Sequence, residues 1–160
     1  MRKVIVNSTP LIALSKVGQL DVLKKLYGEV SIPEAVFREV TEKNDVVRQR
    51  ICSCPWIHVE GVRDVSSRKM YKAKLHDGEV EVMILAQECE DEHLVVIDDG
   101  AARRTAEYLG LTLTGTMGVL IKAKQLGHLS SVMDVVAQME SHEIYLSDTL
   151  KAQVRRMAGE

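Results

Sequence analysis

Aromatic residues are scarce in this sequence: one Trp, one Phe and four Tyr make up 4% of its 160 residues. The core must therefore be built mainly from aliphatic side chains, and hydrophobic residues supply 46% of the chain. Such a composition suits aliphatic helices packed on aliphatic strands, which is the α/β class. The length is sufficient for one sizeable core and too short for two. We therefore predict a single domain spanning residues 1–160.

A strong excess of either charge is also missing, since the formal net charge is -2. Any contact with nucleic acid must then use local clusters of Lys and Arg rather than a globally basic surface. No apolar run approaches the roughly 20 residues of a membrane span, and the N-terminus leads directly into a strand-like segment. We expect neither a signal peptide nor a membrane anchor, and the cytoplasm is the expected location.

Cysteine is too sparse to suggest a disulfide framework or a zinc site. Cys52, Cys54 and Cys89 are odd in number and lack the C-x-x-C spacing. We expect them to be reduced, buried thiols. The histidines show no metal-ligand spacing and are expected on the surface or as satisfied core residues; they are His58, His76, His93, His128 and His142.

Apolar runs alternate with amphipathic segments along the chain, which is the pattern of successive β-α units and predicts a parallel sheet. Strands are predicted at 3–6, 29–32, 56–59, 94–97 and 111–114. Helices are predicted from a Ser8 cap to Gly18, at 20–27, 33–43, 77–88, 101–109 and 117–126, and twice more after Leu129 and Asp148. The pattern is weakest at 44–71, where we expect the mobile or variable part of the chain.

Polar side chains stand at the ends of two predicted strands. Asn7 follows the first strand, and Asp98 and Asp99 follow the strongly apolar fourth. Ligands of open α/β sheets bind beyond the carboxyl ends of the strands. If these two strands are neighbours, an amide oxygen and one or two carboxylates converge on one crevice. The plain alternative is that these residues only form turns.

Two further acids stand out because helical spacing places them beside apolar stripes. Glu39 lies next to Val36 and Val40, and Glu79 heads a stripe with Val82 and Met83. A carboxylate against apolar surface needs a cation or hydrogen bonds. Oxygen-only ligands suit Mg²⁺ or Mn²⁺, which support phosphodiester cleavage. Two alternatives remain: Glu79 serves only the helix dipole, or Glu81 is the ligand instead.

Basic residues near these acids are candidates for phosphate contact. Arg103 and Arg104 could present a cationic edge, although Arg103 also has the spacing of a helical ion pair with Asp99. Lys122 and Lys124 could extend that edge. The turn before Thr116 opens a helix and offers N–H groups to an anion, or simply caps the helix.

The ordered segments VIVNSTPLI at 4–12, IPEAVFRE at 32–39, GEVEVMILA at 78–86 and VIDDGAAR at 96–103 together resemble the PIN domain. With GTMGVL at 115–120, followed by Ala123, Lys124 and Gly127, the chain resembles an uncharacterised branch of PIN proteins related to the VapC-type toxin ribonucleases. The resemblance spans nearly the whole chain.

The resemblance implies a three-layer α/β/α fold with a central five-stranded parallel sheet and a Mg²⁺- or Mn²⁺-dependent ribonuclease site. Its acidic positions fall on Asn7, Glu39, Glu79 and Asp99, with Asp98 adjacent. Ser8 or Thr9 matches a supporting hydroxyl. Similarity to the toxins also implies a homodimer and a small antitoxin protein as partner.

Asn7 stands where the PIN pattern usually has an aspartate. An amide can coordinate a hard cation through oxygen but brings no charge. Two hypotheses follow. One is a metal-dependent endoribonuclease that acts as the toxin of a toxin–antitoxin pair, and the other is a PIN-like module that binds nucleic acid or protein with little or no catalysis. A third, a phospho-acceptor signalling domain, is disfavoured because Asn7 and Thr114 occupy strand ends where such domains carry an acidic pair and a lysine.

Overall fold

Five short strands form a parallel sheet in the computed structural model, which describes residues 2–64 and 75–160. The strand order is β3-β2-β1-β4-β5, and each neighbouring pair is parallel. The strands are β1 (Lys3–Val6), β2 (Val30–Pro33), β3 (Ile57–Glu60), β4 (His93–Val96) and β5 (Leu113–Thr114). With helices on the sheet, this is the predicted three-layer α/β/α fold.

The described residues contain nine helices. They are α1 (Ser8–Lys16), α2 (Asp21–Tyr27), α3 (Glu34–Thr41), α4 (Val46–Cys52), α5 (Asp77–Glu88), α6 (Gly100–Tyr108), α7 (Thr116–Gln125), α8 (Val132–Ser141) and α9 (Asp148–Met157). Helix α5 packs on β1, β2, β4 and α3, while α2 packs against α7. The longest has 12 residues, and among the described helices none is long and apolar enough to cross a membrane.

The two central strands explain why the sheet could be predicted. Ile5 and Val6 of β1 and Val95 and Val96 of β4 are fully buried. A strand buried on both faces is apolar at successive positions and stands out in a sequence. The edge strand β3 has only Ile57 buried, with His58 and Val59 exposed. Its signal is correspondingly weaker.

Most predicted elements lie within two residues of the observed ones, and β1 and α5 have the predicted bounds. The prediction of Ser8 as a helix cap is wrong: Asn7 is the N-cap of α1, and Pro10 lies inside its first turn. Helix α4 was not predicted, because Val47 and Ile51 are its two buried residues and give a weak stripe. Residues 65–71 of the predicted variable segment lie outside the described residues.

The three cysteines are free thiols but are not buried. Cys52 is exposed, and Cys54 and Cys89 are half-buried. Cys52 is the last residue of α4, and Cys89 is the C-cap of α5. Residues at helix ends on the surface are shielded from water on one side only. The expectation of buried thiols is therefore wrong.

Candidate metal centre

The strand order places Asn7 and the Asp98-Asp99 pair at one pole of the sheet. Strands β1 and β4 are neighbours, and the Asn7 N–H donates to the Val96 carbonyl over 3.0 Å. The chain leaves β1 toward β2 on one side, and β4 continues to β5 on the other. This is the switch point at which open α/β sheets bind ligands. The condition for convergence of these side chains, that the two strands are neighbours, is thus met.

The side chain of Asn7 is buried, and its oxygen atom accepts no hydrogen bond from the described residues. Only 3% of the residue is exposed, and its Oδ1 atom has no hydrogen-bond partner among the described residues. Asn is a strong N-cap residue, yet within the described chain the Asn7 side chain makes no capping hydrogen bond to α1. An unsatisfied buried acceptor costs about 1–3 kcal/mol. The orphaned oxygen is therefore suited to a cation.

Ser8 ties the start of α1 to the acid on α3. Its Oγ donates a 2.8 Å hydrogen bond to Oε2 of Glu39. Ser8 is 3% exposed, whereas Thr9 is on the surface. Of the two hydroxyl groups predicted to support the metal ligands, that of Ser8 contacts an acid, Glu39.

Gly78 allows α5 to approach this pair closely. A Cβ atom at Gly78 would lie 3.1 Å from Glu39 Oε2 and 3.6 Å from Ser8 Oγ. The first distance is tighter than ordinary van der Waals contact. The residue after Gly78 is Glu79, so the close approach also brings that acid toward Glu39.

Glu79 is held by the first turn of its own helix. Its Oε1 accepts a 3.0 Å hydrogen bond from the His76 N–H, and the residue is 7% exposed. Burial raises the pKa of this carboxyl, and the negative charges of Asp99 and Glu39 raise it further. Negative charges from two other parts of the chain thus act on this one carboxyl. Perturbation of this kind is typical of functional sites.

Asp99 caps helix α6. Its Oδ2 accepts from the Ala102 N–H over 3.0 Å, and the residue is exposed. Glu39, Glu79 and Asp99 each use one carboxylate oxygen in a hydrogen bond within the fold. In this arrangement no three His, Cys, Asp or Glu side chains of residues 2–64 and 75–160 are grouped closely enough to hold a metal ion.

A family model described as a PIN domain, DUF3368, matches residues 3–160. The chain belongs to this PIN domain family. No curated protein matches it. The match confirms the predicted superfamily and gives the chain a nuclease-type fold, and PIN domains generally depend on divalent metal ions. It also suggests nucleic-acid binding. The narrower likeness to VapC-type toxins stays a prediction.

Glu81 has a separate role in this PIN domain. It is 2% exposed, and its Oε1 accepts from the Ala35 N–H at the start of α3 over 3.0 Å. The other oxygen lies 4.0 Å from Arg38 Nη2. Glu81 therefore joins α5 to α3, while Glu79 is the acid within the electrostatic reach of Glu39 and Asp99. This favours Glu79 as the ligand.

Asp98 occupies the anion site that the sequence placed at the start of α7. Its Oδ1 accepts from the Thr116 N–H over 2.8 Å, and its Oδ2 accepts from Thr116 Oγ1 over 2.6 Å. A Cβ atom at Gly115 would lie 2.8 Å from Asp98 Oδ1, so glycine is needed there. The structure thus gives Asp98 a helix-capping role, and its place as a metal ligand stays a prediction. The N–H and Oγ1 of Thr116 both donate to Asp98.

The four predicted cations of the PIN domain have different surroundings, and a shared cationic edge stays a prediction. Arg103 is half-buried, and its Nη1 donates to the Ile97 carbonyl over 2.8 Å, so this part of the guanidinium is used within the fold. Lys124 pairs with Glu160 at 2.9 Å, about 12 Å along α7 from Thr116. Lys122 is exposed on the same last turn. Arg104 is exposed, with its Nη1 close to Gly100, and remains beside the acids.

Arg38 was missed by the sequence reasoning. It lines an open cleft of about 520 Å³ together with Glu39, Glu42, His76 and Gly78. Helical spacing contained the signal, because residues 35, 38, 39 and 42 share one face of α3. The face carrying a predicted metal ligand also carries a cation.

Proposed function

We propose that this PIN domain is a divalent-metal-dependent endoribonuclease in which Glu39, Glu79 and Asp99 are the catalytic acids. The observation that carries the proposal is the set of three carboxylates, on α3, on α5 and at the N-cap of α6, together with the orphaned buried oxygen of Asn7 at the end of β1. The donor set is all oxygen, which fits Mg²⁺ or Mn²⁺. Such an ion, when bound, would stabilise the negative charge that develops as the phosphodiester is cleaved, and would make an attacking water more acidic.

Hydrogen bonds hold one carboxylate oxygen of each of the three acids in place. The Ser8 hydroxyl, the His76 N–H and the Ala102 N–H each hold one carboxylate oxygen. Groups that hold the partner oxygen of a ligand orient the ligand and tune its basicity. Because no three His, Cys, Asp or Glu side chains of the described residues are grouped closely enough to hold a metal ion, movement of these side chains must accompany metal binding. Asn7 adds an oxygen without adding charge. Arg104, beside Asp99, is the predicted cation best placed to meet a phosphate.

Cleavage of single-stranded RNA tests the proposal. We expect the purified protein to cut RNA with Mn²⁺ or Mg²⁺ and to stop when the metal is chelated. Asp99→Asn keeps a good N-cap side chain, so α6 is preserved, yet activity should fall at least about a hundredfold. Asp134→Asn, an exposed acid in the first turn of α8, is the matched control. Unchanged cleavage by Asp99→Asn at equal purity would contradict the assignment.

A second candidate function is a non-catalytic module that binds nucleic acid or protein. The observation favouring it is Asn7, which leaves the site one charge short of an aspartate-bearing PIN site. In that case RNA is bound but remains intact at all Mn²⁺ concentrations.

A toxin–antitoxin role in the cytoplasm is proposed from the resemblance alone. It entails a homodimer and a small antitoxin protein. Growth arrest on expression, relieved by the product of an adjacent small gene, would support it. Sedimentation of the purified chain at monomer mass would contradict the dimer.

A further inference from the structure

The cleft between α3 and α5 extends the candidate metal centre. Glu39 and Gly78 belong to both, because they line the cleft and also meet each other and Ser8 at the centre. The cleft has a volume of about 520 Å³ and is open to solvent. A chain lying in it would pass beside the Glu39 carboxylate. The cleft is therefore a surface through which a substrate strand can reach the candidate metal centre.

The charges lining this cleft are mostly negative. Glu39, Glu42 and Asp77 line it, and among the described lining residues Arg38 is the fully charged cation. A phosphodiester backbone is repelled by the three acids and attracted by this guanidinium. Arginine presents five N–H donors in a planar fork that matches a phosphate.

The guanidinium of Arg38 is exposed to solvent but lies near a buried carboxylate. Its side chain is 64% exposed, and its Nη2 lies 4.0 Å from Oε2 of Glu81, which is 2% exposed. A buried carboxylate is costly unless it is compensated, so Glu81 draws the guanidinium toward the wall of the cleft. The same carboxylate accepts from the Ala35 N–H and fixes the start of α3. One buried acid thus orders both the helix and its arginine.

We propose that Arg38 binds the phosphate backbone of a single-stranded RNA in this cleft, with Glu81 as its positioning residue. The proposal rests on the proposed function for the identity of the ligand. Contact with phosphate carries no sequence information. Arg38 should therefore strengthen binding to every sequence to a similar degree.

Binding of a fluorescein-labelled single-stranded RNA oligonucleotide, followed by anisotropy with Ca²⁺ in place of Mn²⁺, tests this contact independently of cleavage. We expect Arg38→Ala to raise Kd about tenfold and to make the slope of log K against log salt less steep by about 0.7, the value for one phosphate contact to a single strand. Arg38→Lys should keep the slope and raise Kd about threefold, since lysine keeps the charge but loses the fork.

Arg155→Ala, an exposed arginine of α9, is the matched control and should leave both quantities unchanged. Glu81→Gln keeps an acceptor for Ala35 and removes the anchoring charge. We expect it to raise Kd by less than Arg38→Ala and to add nothing in the double variant. If Glu81→Gln does not fold, the arginine variants and their control still decide.

The results separate this proposal from the nuclease assignment. Loss of binding in Arg38→Ala, with intact RNA in Mn²⁺ for the wild type, upholds the contact and rejects catalysis. Cleavage by the wild type with unchanged Kd and salt slope in Arg38→Ala upholds catalysis and overturns the contact. An equal loss in Arg155→Ala also overturns it, because the effect is then one of net charge.

Discussion

The Ser8 hydroxyl donates a 2.8 Å hydrogen bond to Glu39 Oε2, and this contact joins the end of β1 to helix α3. The contact orients Glu39, an exposed residue, toward the end of the sheet where Asn7, Glu79 and Asp99 lie. A hydrogen bond to a charged group contributes about 1.5–3 kcal/mol. Orientation of Glu39 therefore depends on one small side chain.

Ser8→Ala should lower kcat/KM for RNA cleavage by about tenfold or more, which follows from losing that one hydrogen bond. Thr9→Ala is the control, because Thr9 is exposed and neighbours the same strand end. Steady-state kinetics with circular dichroism as a folding check make the measurement. Equal kinetics in the two variants would show that Ser8 does not orient the acid.

Gly78→Ala should impair cleavage without unfolding the protein. Alanine favours a helix by about 1 kcal/mol over glycine. Its Cβ would lie 3.1 Å from Glu39 Oε2 and push that carboxylate away, and it would lie 3.3 Å from Cγ2 of the buried Val36. Gln138→Ala, at an exposed position of α8, is the control. We expect a Tm close to that of the wild type, because the helix preference of alanine opposes the crowding of Val36, with a loss of activity of about tenfold; full activity would place Glu39 outside the site.

Asn7→Asp should lower stability without metal and tighten metal binding. An added carboxylate meets the charges of Glu79 and Asp99, so the Tm falls in chelator. A ligand that binds only the folded state stabilises it by mass action, so Mn²⁺ should raise the Tm more than in the wild type. Calorimetric titration gives the affinity directly. An identical metal-induced rise in both proteins would mean that position 7 does not contact the ion.

The fold was more predictable than the site, for a physical reason. Buried strands such as β4 are apolar at successive positions, and the order of motifs indicated the topology. Side-chain partners are set by tertiary geometry: the Thr116 N–H donates to Asp98, and Arg103 donates to the Ile97 carbonyl. Neither hydrogen bond produces a periodic pattern that can be seen in the sequence. Glu81 and Glu79 lie two residues apart on the same helix, and only the packing of α3 on α5 separates their roles.

Glu160, which is not one of the proposed catalytic acids, should make the stability of the fold depend on pH. Hydrogen bonds from the Ser131 hydroxyl, Lys124 and the Val132 N–H lower the pKa of its carboxyl from 4.5 to about 2. Because the folded pKa is the lower one, its contribution to stability is complete above about pH 4.5 and is lost as pH falls toward 2.

Glu160→Gln should therefore lower the urea midpoint at pH 7 and have a smaller effect near pH 2.5. Glu107→Gln, an exposed acid of α6, serves as the control. The same decrease at both pH values would mean that the Glu160 charge contributes little.

The most direct test of the metal centre is anomalous diffraction from crystals soaked in Mn²⁺. We expect a peak about 2.0–2.3 Å from carboxylate oxygens of Glu39, Glu79 and Asp99. Glu81 and Asp98 should still be hydrogen-bonded to Ala35 and Thr116. A peak held by other residues, or none at this pole at saturating Mn²⁺, would contradict it.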